Sequence, residues 1–233
     1  MSTAAAPEEA PMVVCQEVAC TFGSGTAAVV AVHGVSATVA PGTRVALTGP
    51  SGSGKSTLLH LMAGLEMPTA GTVSWPGLGG HPLAVPGRIG VVFQGPSLLP
   101  ALDVVENVAL PLLLADTAED EATARAVAAL DLLAIGDLAR KLPEQLSGGQ
   151  AQRVAVARAL AAHPALILAD EPTGQLDHEA AALVIDVLLH ATTELGAALV
   201  VSTHDPLIAR RLPTQWAMRD GTLSAATMTG ARA

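Results

Sequence analysis

The sequence predicts an α/β fold around a mainly parallel sheet. Three observations carry that expectation. Apolar, strand-like runs alternate with helical stretches along the chain, a pattern that makes parallel sheets. A glycine-rich stretch, Gly49-Pro50-Ser51-Gly52-Ser53-Gly54-Lys55-Ser56-Thr57, joins one such run to a helical one. The apolar run Leu166-Ile167-Leu168-Ala169 ends abruptly in two carboxylates, Asp170 and Glu171. In parallel sheets the ligand site lies at the carboxyl ends of the strands, where both features fall.

Taken in order, Met12 to Phe22, Val29 to Val39 and Arg44 to Thr48 read as strands punctuated by Gly34, Pro41 and Gly42. Lys55 to Leu65 follows the glycine-rich turn with Leu58, Leu59, Leu61 and Met62 at helical spacing. Thr72 to Trp75 and Ile89 to Phe93 are further strands, separated by a Gly- and Pro-rich loop from Pro76 to Gly87. From Asp103 to about Arg140 the chain is helical, with Asp103 and Thr117 as caps. A helix begins after Ser147 and runs to about Ala162, then a strand from Ala165 to Ala169, a helix from about His178 and a strand from Ala198 to Thr203. Asp220-Gly221 predicts a terminal hairpin turn.

Composition narrows the function. The chain has 233 residues and 50% apolar content, enough for one α/β domain with a small subdomain. We expect a single domain over 12 to 224, a helical subdomain at about 100 to 160, an N-terminal tail over 1 to 11 and a C-terminal tail over 225 to 233. Its first residues have no basic start and no apolar middle, unlike a secretory signal. The apolar stretches Val104 to Ala115 and Leu195 to Val201 are interrupted or fall short of the roughly twenty residues that a spanning helix needs. A net charge of −9 argues against nucleic acid as a partner, since phosphate backbones demand clustered Lys and Arg. Cys15 and Cys20 lie in one extended run at opposite parity, so they are expected on opposite faces as reduced thiols.

The glycine-rich stretch has the makings of a phosphate loop. Gly49, Gly52 and Gly54 let successive amides converge on phosphate oxygens, and the following helix adds its positive end. Lys55 would then reach the β and γ phosphates, the Ser56 hydroxyl would ligate Mg²⁺, and Thr57 would help hold the α and β phosphates. Two carboxylates ending an apolar strand are costly unless they meet a metal or a reaction. Glu171, one step nearer the γ phosphate, is the candidate to polarise attacking water. Downstream, Leu146-Ser147-Gly148-Gly149-Gln150 opens a helix with a hydroxyl and free amides, a second anion-binding end.

The phosphate loop and Leu146 to Gln150, in this order, resemble the ATP-binding cassette (ABC) ATPases over about residues 12 to 224. That resemblance implies a P-loop NTPase, RecA-like core, a small N-terminal antiparallel β-subdomain and an inserted α-helical subdomain. It also implies ATP and Mg²⁺ as ligands and ATP hydrolysis as the reaction. Residue by residue, Asp170 matches the acid that orients Mg²⁺ through water. Gln94 matches the glutamine that touches Mg²⁺ or the attacking water and senses the membrane partner. His204 matches the switch histidine on the γ phosphate, and Phe22 the aromatic that stacks on adenine. Pro172-Thr173-Gly174-Gln175-Leu176-Asp177 matches the next family segment, with Asp177 at the nucleotide interface.

In the family the end opened by Ser147, Gly148, Gly149 and Gln150 completes the site of an opposite subunit. Because this chain holds both halves in matching form, a symmetric homodimer with two ATP sites is expected. The resemblance further implies an integral membrane permease as partner and a place on the cytoplasmic face of the membrane. Phe93-Gln94, Leu98-Leu99-Pro100 and Glu106-Asn107-Val108-Ala109-Leu110-Pro111-Leu112 are similar to the group of lipoprotein-releasing, macrolide-exporting and cell-division ATPases. An export or force-transmitting subunit is the leading expectation. A regulatory cassette acting on a cell-envelope partner without moving solute is the alternative. The sequence departs from the group in a short stretch between Gly71 and Gln94, in Gln175 where asparagine is common, and in Ala151 after the signature.

Overall fold

The computed structural model describes residues 9 to 228. Residues 1 to 8 of the tail expected over 1 to 11, and 229 to 233 of the tail expected over 225 to 233, lie outside the described residues. Two sheets share the chain. Strands β1 (Val13–Phe22), β2 (Val29–Val39) and β4 (Ala70–Ser74) form an antiparallel sheet in the order β2-β1-β4. The larger sheet adds β3 (Arg44–Thr48), β5 (Ile89–Val92), β6 (Leu166–Asp170), β7 (Ala198–Thr203), β8 (Thr214–Arg219) and β9 (Thr222–Met228) in the order β5-β6-β7-β3-β8-β9. Its first five strands are parallel, and β9 returns antiparallel on β8. β9 runs on to Met228, past the expected domain end at 224.

Period-two alternation divides the core into two layers. On β6, Ile167 and Ala169 face one apolar cluster while Leu166 and Leu168 face the other; on β7, Leu199 and Val201 oppose Ala198 and Val200. Continuous apolar strands therefore arise because both faces are covered. One face packs against α1 (Lys55–Met62) and the antiparallel sheet. The other packs against α2 (Val104–Leu113), α3 (Glu119–Leu132), α4 (Gly148–Ala161) and α5 (His178–Leu195).

Helix ends follow local chemistry, with one correction. Asp103 and Glu106 make a reciprocal capping box at α2, each carboxylate accepting from the other's backbone amide. Thr117, expected to cap the next helix, does not: Ala118 is the N-cap residue and makes no side-chain cap bond. Glu119, Asp120 and Glu121 in the first turn suit the positive helix end instead. Among the remaining helices, α6 (Pro206–Ala209) is a single turn capped by Asp205. The Asp220-Gly221 hairpin turn forms with φ of 47° and 73°, the left-handed pair that a two-residue connection requires.

Cys15 and Cys20 are free thiols as expected, but the expectation that they point to opposite faces is overturned. Cys15 and Cys20 are both buried in the same apolar cluster. A bulge resets the parity: Gln16 and Glu17 are both exposed, and Glu17 has φ of 48°. The Ser36 hydroxyl holds it, accepting from the Glu17 amide at 3.0 Å and donating to Oε1 at 2.7 Å. Gly71 on β4 abuts the Gln16 and Glu17 carbonyls where no Cβ would fit.

The segment expected as a loop from Pro76 to Gly87 contains two short 3₁₀ turns, Pro76–Leu78 and Pro82–Ala84. Before them, Trp75 donates its indole N–H to the Met62 carbonyl at 2.7 Å and meets His81 edge-on with ring centres 4.7 Å apart. This stretch is thereby fastened to the end of α1.

Candidate functional site

The glycine-rich loop leaves the end of β3 and turns into α1. Gly54 caps that helix at φ of 97°, and a Cβ there would run into the Ala31 carbonyl of β2; one at Gly49 would meet the Met218 carbonyl of β8. Only glycine permits this close passage between two strands. Lys55 is buried, and its ammonium donates to the Gly49 and Pro50 carbonyls, both at 2.9 Å. Two of its three donors are thus held by the loop, which aims the charge across the loop's mouth. The Ser53 hydroxyl is buried without a partner.

Above the loop lies a cleft of about 510 Å³ lined by Ser51, Gly52, Gly54, Lys55, Ser56, Thr57, Gln94, Glu171 and His204, with Ala31. Four strand ends bring these residues together, since the loop follows β3, Gln94 follows β5, Glu171 follows β6 and His204 follows β7. Parallel register is the cause: each strand delivers its carboxyl end to the same edge.

Behind Glu171, Asp170 is buried at 6% exposure and pairs in register with Ser202 of β7. The Ser202 hydroxyl donates to Asp170 Oδ1 at 2.5 Å and accepts from the Glu171 amide at 2.9 Å. Sequence reasoning passes over Ser202, although a hydroxyl in the run Leu199-Val200-Val201 is the available signal. Glu171 has a left-handed backbone, φ of 43°, and its Oε2 lies 3.2 Å from His204 Nδ1.

The stretch around Gln94 is tied to α4. Gln152 donates to the Phe93 carbonyl at 3.1 Å, and the Arg158 guanidinium donates to the carbonyls of Pro96 and Ser97 at 3.2 and 2.9 Å. At the start of α4, Ser147 and Gln150 form a capping box, the hydroxyl accepting from the Gln150 amide and the amide oxygen from that of Ser147. Local capping accounts for those two residues. It does not account for Gly148, whose φ is ordinary and where a Cβ would make only ordinary contact with Gln175.

Several sequence-predicted residues lie away from the cleft. Ser147, Gly148, Gly149 and Gln150 are not among its lining residues. Asp177 is exposed and caps α5 through the Ala180 amide at 2.8 Å. Phe22 stands 44% exposed at the end of β1, beside the exposed Val29. Gly49 and Pro50 line a neighbouring hollow with Thr203 and Arg210.

Comparison with known proteins agrees with this geometry. Residues 32–174 match the family model described as ABC transporter. The chain is 40% identical to the lipoprotein-releasing system ATP-binding protein LolD of Legionella pneumophila, over 88% of this chain and 93% of that protein. It is 42% identical to the LolD of Shewanella denitrificans, over 87% and 90%. Among solved structures it is similar to the dimeric ATP-binding cassette MJ0796 in a post-hydrolysis state bound to ADP and Pi. There the TM-score is 0.88 and the identity 34%, covering 95% of this chain and 100% of that one. No helix among the described residues is long and apolar enough to cross a membrane. The chain belongs to the ABC transporter family, as an ATP-binding, ATP-hydrolysing subunit.

Proposed function

We propose that this subunit powers an export or force-transmitting membrane complex, working as a homodimer that clamps two ATP molecules between phosphate loop and signature of opposite protomers. One observation carries the reading: a single cleft gathers Lys55, Ser56, Gln94, Glu171 and His204 from four different strand ends. Such convergence of a cation, oxygen donors and a carboxylate suits an anhydride phosphate.

In this reading the amides of Ser51 to Thr57 and the Lys55 ammonium bind the triphosphate, and Phe22 stacks on the base. The oxygens of Ser56, Gln94 and Asp170 are hard donors that fit Mg²⁺, which prefers few protein ligands and keeps water. Mg²⁺ supplies charge neutralisation at the β and γ phosphates. Glu171 orients and polarises a water, whose oxygen bonds to the γ phosphorus as the bond to the bridging oxygen of ADP breaks. His204 holds Glu171 on one side and reaches the γ phosphate on the other.

The exposed N-terminal end of α4 supports the dimer. Gly148 lacks any reason in its own chain to be glycine, whereas a second protomer's nucleotide approaching the amides of Gly148 and Gly149 would require one. Asp177 would sit at the same junction. Loss of the shared γ phosphate would then open the dimer.

Residues 12 to 224 would act as one domain, with α2 to α4 (about 100 to 160) as the helical subdomain. Leu113 and Leu114 are exposed there and Leu99 just ahead of it, apolar surface suited to an integral membrane permease on the cytoplasmic face. The named relatives of the lipoprotein-releasing system favour the export branch. Co-purification with the native membrane partner tests this: a permease with a large extracytoplasmic domain and few spanning helices supports it, and a solute-channel permease with a binding protein contradicts it.

A further inference from the structure

We infer that Ser202 is a positioning residue for hydrolysis, its hydroxyl locking the two neighbouring acids, Asp170 and Glu171, into a single working arrangement. The inference rests on the reading of those acids given above and deepens it.

Ser202 is fully buried in a strand whose other central residues, Leu199, Val200 and Val201, are aliphatic. A hydroxyl in that setting costs free energy unless both its donor and its acceptor capacity are used. Here both are used, on two adjacent residues. It donates to Asp170 Oδ1 and accepts from the Glu171 amide, so it spans the turn between them. The Glu171 amide also reaches the Ser202 carbonyl at 3.2 Å.

That turn needs holding. Glu171 carries a side chain on a left-handed backbone, a conformation that persists only where surrounding contacts over-determine it. Asp170 has one carboxylate oxygen fixed by the hydroxyl, which limits how the buried carboxylate can turn. A bond from a supporting group to a carboxylate that serves a metal fixes that carboxylate's orientation. The aliphatic residue that the rest of the strand leads one to expect would leave Asp170 and the Glu171 amide short of these bonds.

The test uses the purified full chain, with Ser202→Ala, Ser202→Thr and Glu171→Gln compared for kcat, KM for ATP and the Mg²⁺ requirement, read as the concentration that half-saturates the protein in equilibrium binding beside a non-hydrolysable ATP analogue. Ser202→Ala should lower kcat and raise the Mg²⁺ requirement together by about 10- to 100-fold, the range for losing a supporting bond to a metal site. KM for ATP should move little, because the phosphate loop is untouched. Ser202→Thr keeps the hydroxyl and should recover most of both losses. Unchanged kcat and Mg²⁺ requirement in Ser202→Ala, beside an inactive Glu171→Gln, would overturn this inference alone. Equal impairment of the Ala and Thr variants would assign the loss to packing and overturn it as well. Normal turnover in Glu171→Gln would instead overturn the assignment of the acids on which it rests.

Discussion

His204 Nδ1 lies 3.2 Å from Glu171 Oε2, so the residues that follow β7 and β6 are tied to each other at the cleft. Glu171 is the less exposed partner, at 18% against 67% for the His204 side chain. The histidine therefore stands on the open side, where it can hold the carboxylate and still meet an incoming phosphate. Replacing Glu171 by Gln keeps the shape and the contact but removes the anion. Turnover should fall by roughly 10² to 10⁴ while ATP binding persists, since a general base contributes about that factor. Steady-state phosphate release and equilibrium nucleotide binding, measured on one preparation, check both halves; near-normal turnover would remove Glu171 from the role.

Asn107 should be the polar keystone of the helical block. It is fully buried: its side-chain oxygen accepts from the Leu99 amide at 2.8 Å, and its NH₂ donates to the carbonyls of Leu99, Leu102 and Asp103. Asn107→Ala strands those groups in an apolar setting, and we expect a loss of about 2 to 4 kcal/mol in urea unfolding. A loss below about 0.5 kcal/mol, the range of ordinary surface changes, would show that the loop after Gln94 is held by other means.

The thiols make a pH prediction. Burial pushes Cys15 up from its usual 9.0 to about 12, and burial followed by the nearby Glu66 carboxylate raises Cys20. A raised folded-state value means that the unfolded chain gives up its proton first. Stability is then complete below about pH 9 and declines as pH climbs toward 12. Cys15→Ala should flatten that alkaline decline in denaturation midpoints. Alkylation by iodoacetamide at neutral pH should be slow in the native protein and fast in denaturant; rapid native labelling would contradict the buried placement.

Ser147 has two duties that separate experimentally. Its hydroxyl caps α4 through the Gln150 amide at 3.2 Å, and in the proposed dimer it also meets the partner's nucleotide. Ser147→Asp keeps a helix cap but brings a negative charge to that nucleotide. The variant should stay folded, bind ATP as a monomer and lose hydrolysis; wild-type turnover would argue against a shared site.

Much of this architecture is legible because its causes are local. β2, β3 and β7 begin and end where the residue pattern says, since apolar runs bounded by Gly, Pro or polar residues have few alternatives. Asp103 declares its helix because the capping partner lies three residues away. What is not legible depends on distant neighbours. The parity of Cys15 and Cys20 is reset by a bulge that Ser36 and Gly71 accommodate from two other strands. Ser202 acquires its partners only when β7 pairs with β6, a register that no stretch of either strand displays by itself. The convergence of Gln94, Glu171 and His204 on the phosphate loop is likewise a product of sheet order, and the end of α4 lies apart from that cleft.

The central claim is that each ATP is gripped by two copies of this chain. Sedimentation of the Glu171→Gln protein, with and without saturating ATP and Mg²⁺, tests it most directly. The account predicts a monomer without nucleotide and a stable dimer with it, holding one ATP per protomer. A protein that stays monomeric at saturation, alone and beside its membrane partner, would contradict the account.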